Sequence, residues 1–184
     1  GSAAEGAELL APMRAVASPL MDTVGDLPYA AIDAVHMDPT DPMPMWDRGT
    51  SLAELSVDTV ETLLAHAGAE SGTPLAMVEL RLLGGAIARR PEVPNAVSGR
   101  DAAYSVFTVG VPVGPEPHLV PAASAALVEA LRPWSAAGGL VNLLGQASPR
   151  RVGALWSPVD RARLVDTARR YDPEGTFATN VVIG

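Results

Sequence analysis

Proline and glycine cut this chain into short pieces, with 17 of each among 184 residues. Together they make up about 18% of the chain, against about 12% in an average protein, so ordered loops joining short elements are expected. Asp38-Pro39-Thr40-Asp41-Pro42-Met43-Pro44-Met45-Trp46 cannot be a helix interior, because each proline lacks an N–H donor and pushes the preceding residue out of the helical region. It is predicted as an extended or turning loop with apolar side chains to bury.

Between these breaks, periodicity predicts helices and strands. Leu9, Leu10, Met13 and Ala17 place a first helix over 5–17, with Pro19 as the stop, and Pro28 suits the first turn of a short helix through His36. Ser51-Leu52-Ala53-Glu54 has capping-box spacing and predicts a helix whose face is Leu52, Leu55, Thr59 and Leu63, widened by Val60 and Leu64, ending near His66 and Gly68. In the 74–87 region Met77, Glu79 and Arg81 alternate with Val78, Leu80 and Leu82. In 104–111 Tyr104, Val106 and Thr108 alternate with Ser105, Phe107 and Val109. Both are predicted strands, and Gly84-Gly85 allows a bulge after the first. A helix from His118 carries Val120, Ser124, Leu127, Leu131 and Trp134 on one face and ends at Pro133. Gly138-Gly139 reads as a turn into a short strand, and Ser157-Pro158-Val159-Asp160 starts a last helix with Leu164, Ala168 and Tyr171 toward the core. The order predicts an α+β fold, an antiparallel sheet with helices packed on one face.

Composition removes several function classes. One domain is enough for this length. A net charge of -8, with all thirteen basic residues Arg, argues against a nucleic-acid partner. The absence of cysteine excludes disulfides and thiolate chemistry within the chain. No apolar run reaches the roughly 18 residues of a membrane span. The expected compartment is the cytoplasm, with an upstream signal left open because Gly1-Ser2 reads as a cloning scar. His36, His66 and His118 are scattered without metal-ligand spacing, so no metal is expected. The glycine spacings match neither dinucleotide nor triphosphate loops, and no serine-hydrolase elbow is present.

Three segments carry a resemblance: Gly139-Leu140-Val141-Asn142-Leu143-Leu144-Gly145; Trp156-Ser157-Pro158-Val159-Asp160-Arg161-Ala162-Arg163-Leu164; and Tyr171-Asp172-Pro173-Glu174-Gly175-Thr176-Phe177-Ala178-Thr179-Asn180. They resemble the C-terminal part of berberine-bridge-enzyme-like FAD-linked oxidoreductases, in the vanillyl-alcohol oxidase superfamily. Earlier pieces, Ala4 to Arg14, Leu27-Pro28-Tyr29 and Leu83 to Arg89, are similar to the same family. The resemblance implies that 3–184 is the C-terminal portion of a substrate domain, with 139–184 as its terminal segment. The flavin would be held by an upstream domain or fragment and the substrate would be a small molecule. The isolated chain is then expected to carry no FAD and to be inactive. A sheet lacking its neighbouring strands would expose an edge, and a homo-oligomer or a partner fragment would cover it.

Leu140 stands where the family often has a tyrosine that helps deprotonate or orient the substrate; leucine supplies only shape. Asn142 retains the family asparagine, implying a contact near the flavin, with a local turn cap as the alternative. Asn180 matches a recurring position at the return to the flavin domain, implying a cofactor contact. Glu79 and Arg81 are candidates to face substrate or to form a cross-strand ionic pattern, and Tyr104 is a candidate replacement phenol or a core aromatic. The competing reading is a non-enzymatic binding or assembly domain derived from the same fold.

Overall fold

The computed structural model describes residues 1–36 and 39–177, in two compact units, Gly1–Pro42 and Met43–Gly184. In the first unit, α1 (Ala3–Arg14) begins at a reciprocal cap, in which Ser2 Oγ accepts the Glu5 N–H and the Glu5 carboxylate answers the Ser2 N–H. That start lies two residues before the predicted one because Ser2 is a working cap. None of the α1 side chains is buried. Arg14 holds the following turn, donating from Nε to Asp22 at 2.6 Å and from Nη2 to Val24 O at 2.9 Å. A single 3-10 turn (Tyr29–Ala31) follows Pro28 and leads into α2 (Asp33–His36), so the predicted short helix is broken in two.

In the second unit, β1 (Trp46–Leu52), β2 (Met77–Leu82) and β3 (Tyr104–Gly110) form an antiparallel sheet in the order β1-β3-β2. β2 and β3 stand where alternation predicted them. β1 corrects the reading of Ser51 as a helix cap: Ser51 and Leu52 are strand residues, and Leu52 is fully buried on the sheet. The helix starts later, as α3 (Val57–Ala67), where Ser56 Oγ accepts the Thr59 N–H at 3.2 Å and Thr59 Oγ1 accepts the Ser56 N–H. Val60 and Leu64, predicted to widen the buried face, are exposed. A short α4 (Gly85–Ala88) follows β2.

Register puts the even-numbered residues of all three strands on one face, where Val106 lies between Thr50 and Leu80. That face meets α5 (Leu119–Ala130) and α3, and its core is Leu52, Val106, Leu127 and Leu131 with Tyr104, Val78 and Trp134 against it. Fully burying one such leucine contributes about 1.5–3 kcal/mol. The interior also holds one polar pair, Thr108 Oγ1 and Ser124 Oγ at 2.7 Å, with the Thr108 hydroxyl within 2.9 Å of Arg48 O. Beyond α5 the chain turns through Arg132–Trp134 and Val141–Leu143, both 3-10, into α6 (Pro149–Gly153) and α7 (Pro158–Tyr171). The strand predicted after Gly138-Gly139 is a 3-10 turn instead. Ser157 caps α7 as predicted, yet Ala168 and Tyr171 are exposed, Tyr171 at 72%. No helix of the described residues is long and apolar enough to cross a membrane.

Candidate functional site

The segment 134–146 closes the outer edge of β1 without forming a strand. Gly49 N–H donates to Leu144 O at 3.2 Å, while Asp47 O accepts from Gln146 N–H and Ser51 O from Ala136 N–H. Ala53 N–H reaches Trp134 O at 2.9 Å. The remaining acceptor, Gly49 O, is taken by Arg151 Nη2 at 2.9 Å; the same guanidinium also donates to Leu144 O and Gln146 O. An arginine thus substitutes for part of a neighbouring strand. Burial pushes the Arg151 guanidinium below its ordinary value, and the positive charge of Arg48 acts in the same direction, opposed by Asp47. Among the described residues Trp46 Nε1 and Arg48 Nε, at the start of the same strand, are buried without a hydrogen-bond partner.

Close approach explains why position 49 is glycine. A Cβ there would collide with the Leu143 carbonyl, so any larger residue would push the Val141–Leu143 turn off the sheet. Gly138 has φ +74°, and a side chain would meet Ser98 and the Gly99 N–H. Ser98 clamps this turn, its hydroxyl donating to Leu155 O and accepting the Gly139 N–H at 3.3 Å. Trp156 Nε1 anchors the same strap through Ala96 O at 2.8 Å.

These contacts enclose a cleft of about 180 Å³ whose walls include Ser51, Ser105, Leu140, Leu143 and Leu155. Ser51 and Ser105 lie directly opposite each other across β1 and β3 and are only 4% and 3% exposed. Neither hydroxyl bonds to another described residue, so both are open to whatever enters the cleft. Arg81 is the next residue along the same row, paired in register with Ser105. It is bound to Glu79, from Nε to Oε1 and from Nη2 to Oε2 at 2.8 Å, and this partner raises its pKa above the ordinary value.

The structure therefore brings Leu140, Glu79 and Arg81 to one side of the sheet. Tyr104 is on the other, packed against the helix-covered core. Asn142 is exposed in the Val141–Leu143 turn, its amide making no hydrogen bond to another described residue, and it does not line the cleft. Asn180 lies outside the described residues. No group of three or more metal-ligating side chains occurs among the described residues. Sequence reasoning missed Gly49, Ser51, Ser105 and Arg151. Arg151 was visible only as half of an Arg-Arg pair, and the serines become neighbours only through strand register.

No protein-family model matches the chain, and no curated protein matches it. Solved structures do. It is similar to 6-hydroxy-D-nicotine oxidase from Arthrobacter nicotinovorans at 19% identity and a TM-score of 0.67, covering 100% of this chain and 42% of that one. It is also similar to BBE-like 1 from Physcomitrella patens at 13% identity and a TM-score of 0.69, covering 100% of this chain and 43% of that one. At these identities the likeness establishes the fold, that of part of a larger α+β protein, since the chain spans less than half the length of either structure.

Proposed function

We propose that this chain is the later part of the substrate domain of an FAD-linked oxidoreductase of the berberine-bridge-enzyme-like group, inactive alone. Its parent would oxidise an alcohol, sugar or secondary-metabolite carbon. The observation that carries this reading is the chain-long likeness to an oxidase and a BBE-like protein, at TM-scores of 0.67 and 0.69, joined to the motif segments from Gly139 to Asn180.

The size of the cleft beside Leu140 favours a flavin held elsewhere in the parent protein. The cleft beside Leu140 is about 180 Å³, below the roughly 300–1,000 Å³ that drug-sized ligands fill. The cofactor would be held by an upstream flavin-binding domain or fragment. The work left to this chain is positioning and exclusion of water. Leu140 gives the cleft a dry wall, the Ser51 and Ser105 hydroxyls offer hydrogen bonds to a polar group, and the exposed Asn142 amide would meet another part of the parent protein.

Reconstitution tests this reading. Joined to a flavin-binding region, the chain should complete a protein with one flavin and oxidase turnover. A protein that binds no flavin in any such pairing would overturn the proposal. A second reading, a binding or assembly domain on the same fold, is favoured by Leu140 itself, which cannot exchange a proton. It predicts a folded assembly without turnover.

A further inference from the structure

The cleft beside Leu140 has one wall whose polar groups are satisfied by nothing within the chain. Ser51 and Ser105 face each other across β1 and β3 at a non-hydrogen-bonded position, because the backbone groups of Gly49 and Ser51 turn outward to Leu144, Arg151 and Ala136. The Cβ atoms of such a pair stand about 4.5–5.5 Å apart on one face of the sheet. Both residues are buried, yet among the described residues neither hydroxyl has a partner, and neither is sealed off as Trp46 Nε1 and Arg48 Nε are. Gly139 keeps the space in front of them open, since a Cβ there would stand 3.3 Å from Ser51 Oγ and 3.4 Å from Leu155 Cδ2. Leaving buried hydroxyls unpaired costs stability, and a bound acceptor recovers that cost.

Charge selects the acceptor. Arg151 lines the same cleft, and its bonds all go to neutral carbonyls, those of Gly49, Leu144 and Gln146. Arg14, Arg81, Arg132 and Arg163, by contrast, each pair with a carboxylate. The charges that act on Arg151 are those of Arg48 and Asp47, which oppose one another, so its own positive charge is left unmatched. The remaining side chains on the walls include Leu140, Leu143 and Leu155, which are apolar.

We propose that this cleft binds a small monocarboxylate with a compact apolar body, its oxygens accepting from the Ser51 and Ser105 hydroxyls beside Arg151 and its carbon body lying against Leu140, Leu143 and Leu155. A carboxylate only accepts, so both serines act as donors, and hydrogen bonds to an ionised acceptor are roughly twice as strong as neutral ones. Volume sets the size of the body. The cleft is about 180 Å³, and an apolar cavity of about 150 Å³ holds benzene, so a single ring or a short branched chain matches the space. No flavin takes part in these contacts, so the site stands or falls apart from the flavoenzyme reading.

Benzoate titrated into the 184-residue protein and followed by amide NMR tests the proposal, with benzamide as a neutral analogue of the same shape. The expected result is saturable binding with a dissociation constant on the order of 1 mM. The amides of Ser51, Ser105, Gly139 and Leu140 should shift together, and benzamide should bind about ten-fold more weakly or worse. Ser51→Ala and Ser105→Ala should each weaken benzoate binding by about ten-fold. Both variants should fold, because each removes a hydroxyl that is unpaired in the free protein. Should either fail, Gly139→Ala, whose methyl narrows the space before Ser51 Oγ, and the benzamide comparison still decide. The absence of saturable binding overturns the proposal, as do equal affinities for benzoate and benzamide. Undiminished binding in both serine variants, or shifts confined to the arginine-rich α7, would overturn it as well.

Discussion

Replacing Arg151 with methionine should destabilise the sheet-bearing unit by about 1–2 kcal/mol. The structure sets the terms. Of the three carbonyls that Arg151 serves, Leu144 O keeps the Gly49 N–H and Gln146 is exposed to water. Gly49 O, on a buried residue, is left without a partner, a loss of about 1–3 kcal/mol. Methionine preserves most of the apolar stem, so cavity formation adds little. Removing the charge acts the other way, because burial and Arg48 both disfavour the guanidinium, but this side chain is partly solvated and screening shrinks that gain. The orphaned carbonyl should win. Urea unfolding would then shift its midpoint at constant slope, and the melting temperature should fall by roughly 2–8 °C. Hydrogen exchange at the Gly49 amide should accelerate. An unchanged or more stable variant would refute the reasoning, since it would mean that the buried charge costs more than its hydrogen bonds return.

Leu127→Ala should cost about 2–5 kcal/mol, because the residue is fully buried among Leu52, Val106 and Leu131, and denaturant unfolding will read the loss. Thr108→Val should cost about 1–3 kcal/mol by stranding the Ser124 hydroxyl; the double change with Ser124→Ala should recover part of it in a double-mutant cycle. In a reconstituted flavoprotein, Asn142→Ala should lower turnover or alter the flavin spectrum, whereas Leu140→Met, which nearly conserves apolar volume, should change either much less. Unchanged kinetics and spectra in Asn142→Ala would remove that residue from the site. In the first unit Asp22 is held below the usual carboxylate range by Arg14. Its contribution is therefore present above the unfolded pKa and lost as pH falls through the lowered folded value, and a pH titration of the Val24 amide signal will follow it.

Local chemistry made β2, β3, α5 and the start of α7 legible in the sequence. Period-two alternation in the strands, one-face apolar spacing in α5 and a serine cap followed by proline in α7 are written in neighbouring residues and agree with what the fold requires. β1 was hidden because Gly49 and the charged Asp47-Arg48 pair interrupt alternation, while Ser51 to Glu54 imitates a capping box. Burial of Leu52 against Val106 and Leu127 settles that contest, and those contacts come from far along the chain. The turn at Gly138-Gly139 was readable; its 3-10 continuation depends on the approach of Leu143 to Gly49. Ser51 and Ser105 escaped notice for a similar reason. An isolated serine carries no signal until strand register pairs it with another beside Leu140.

Flavin stoichiometry, measured side by side on the isolated chain and on the same chain joined to a flavin-binding region, tests the proposed function most directly. The proposal predicts a colourless 184-residue protein. It also predicts a joined protein with one flavin per chain, in which the amides of Val141 to Leu143 change their hydrogen exchange on flavin reduction. A tightly bound flavin on the isolated chain would contradict the proposal, and so would a joined protein whose flavin leaves those amides untouched.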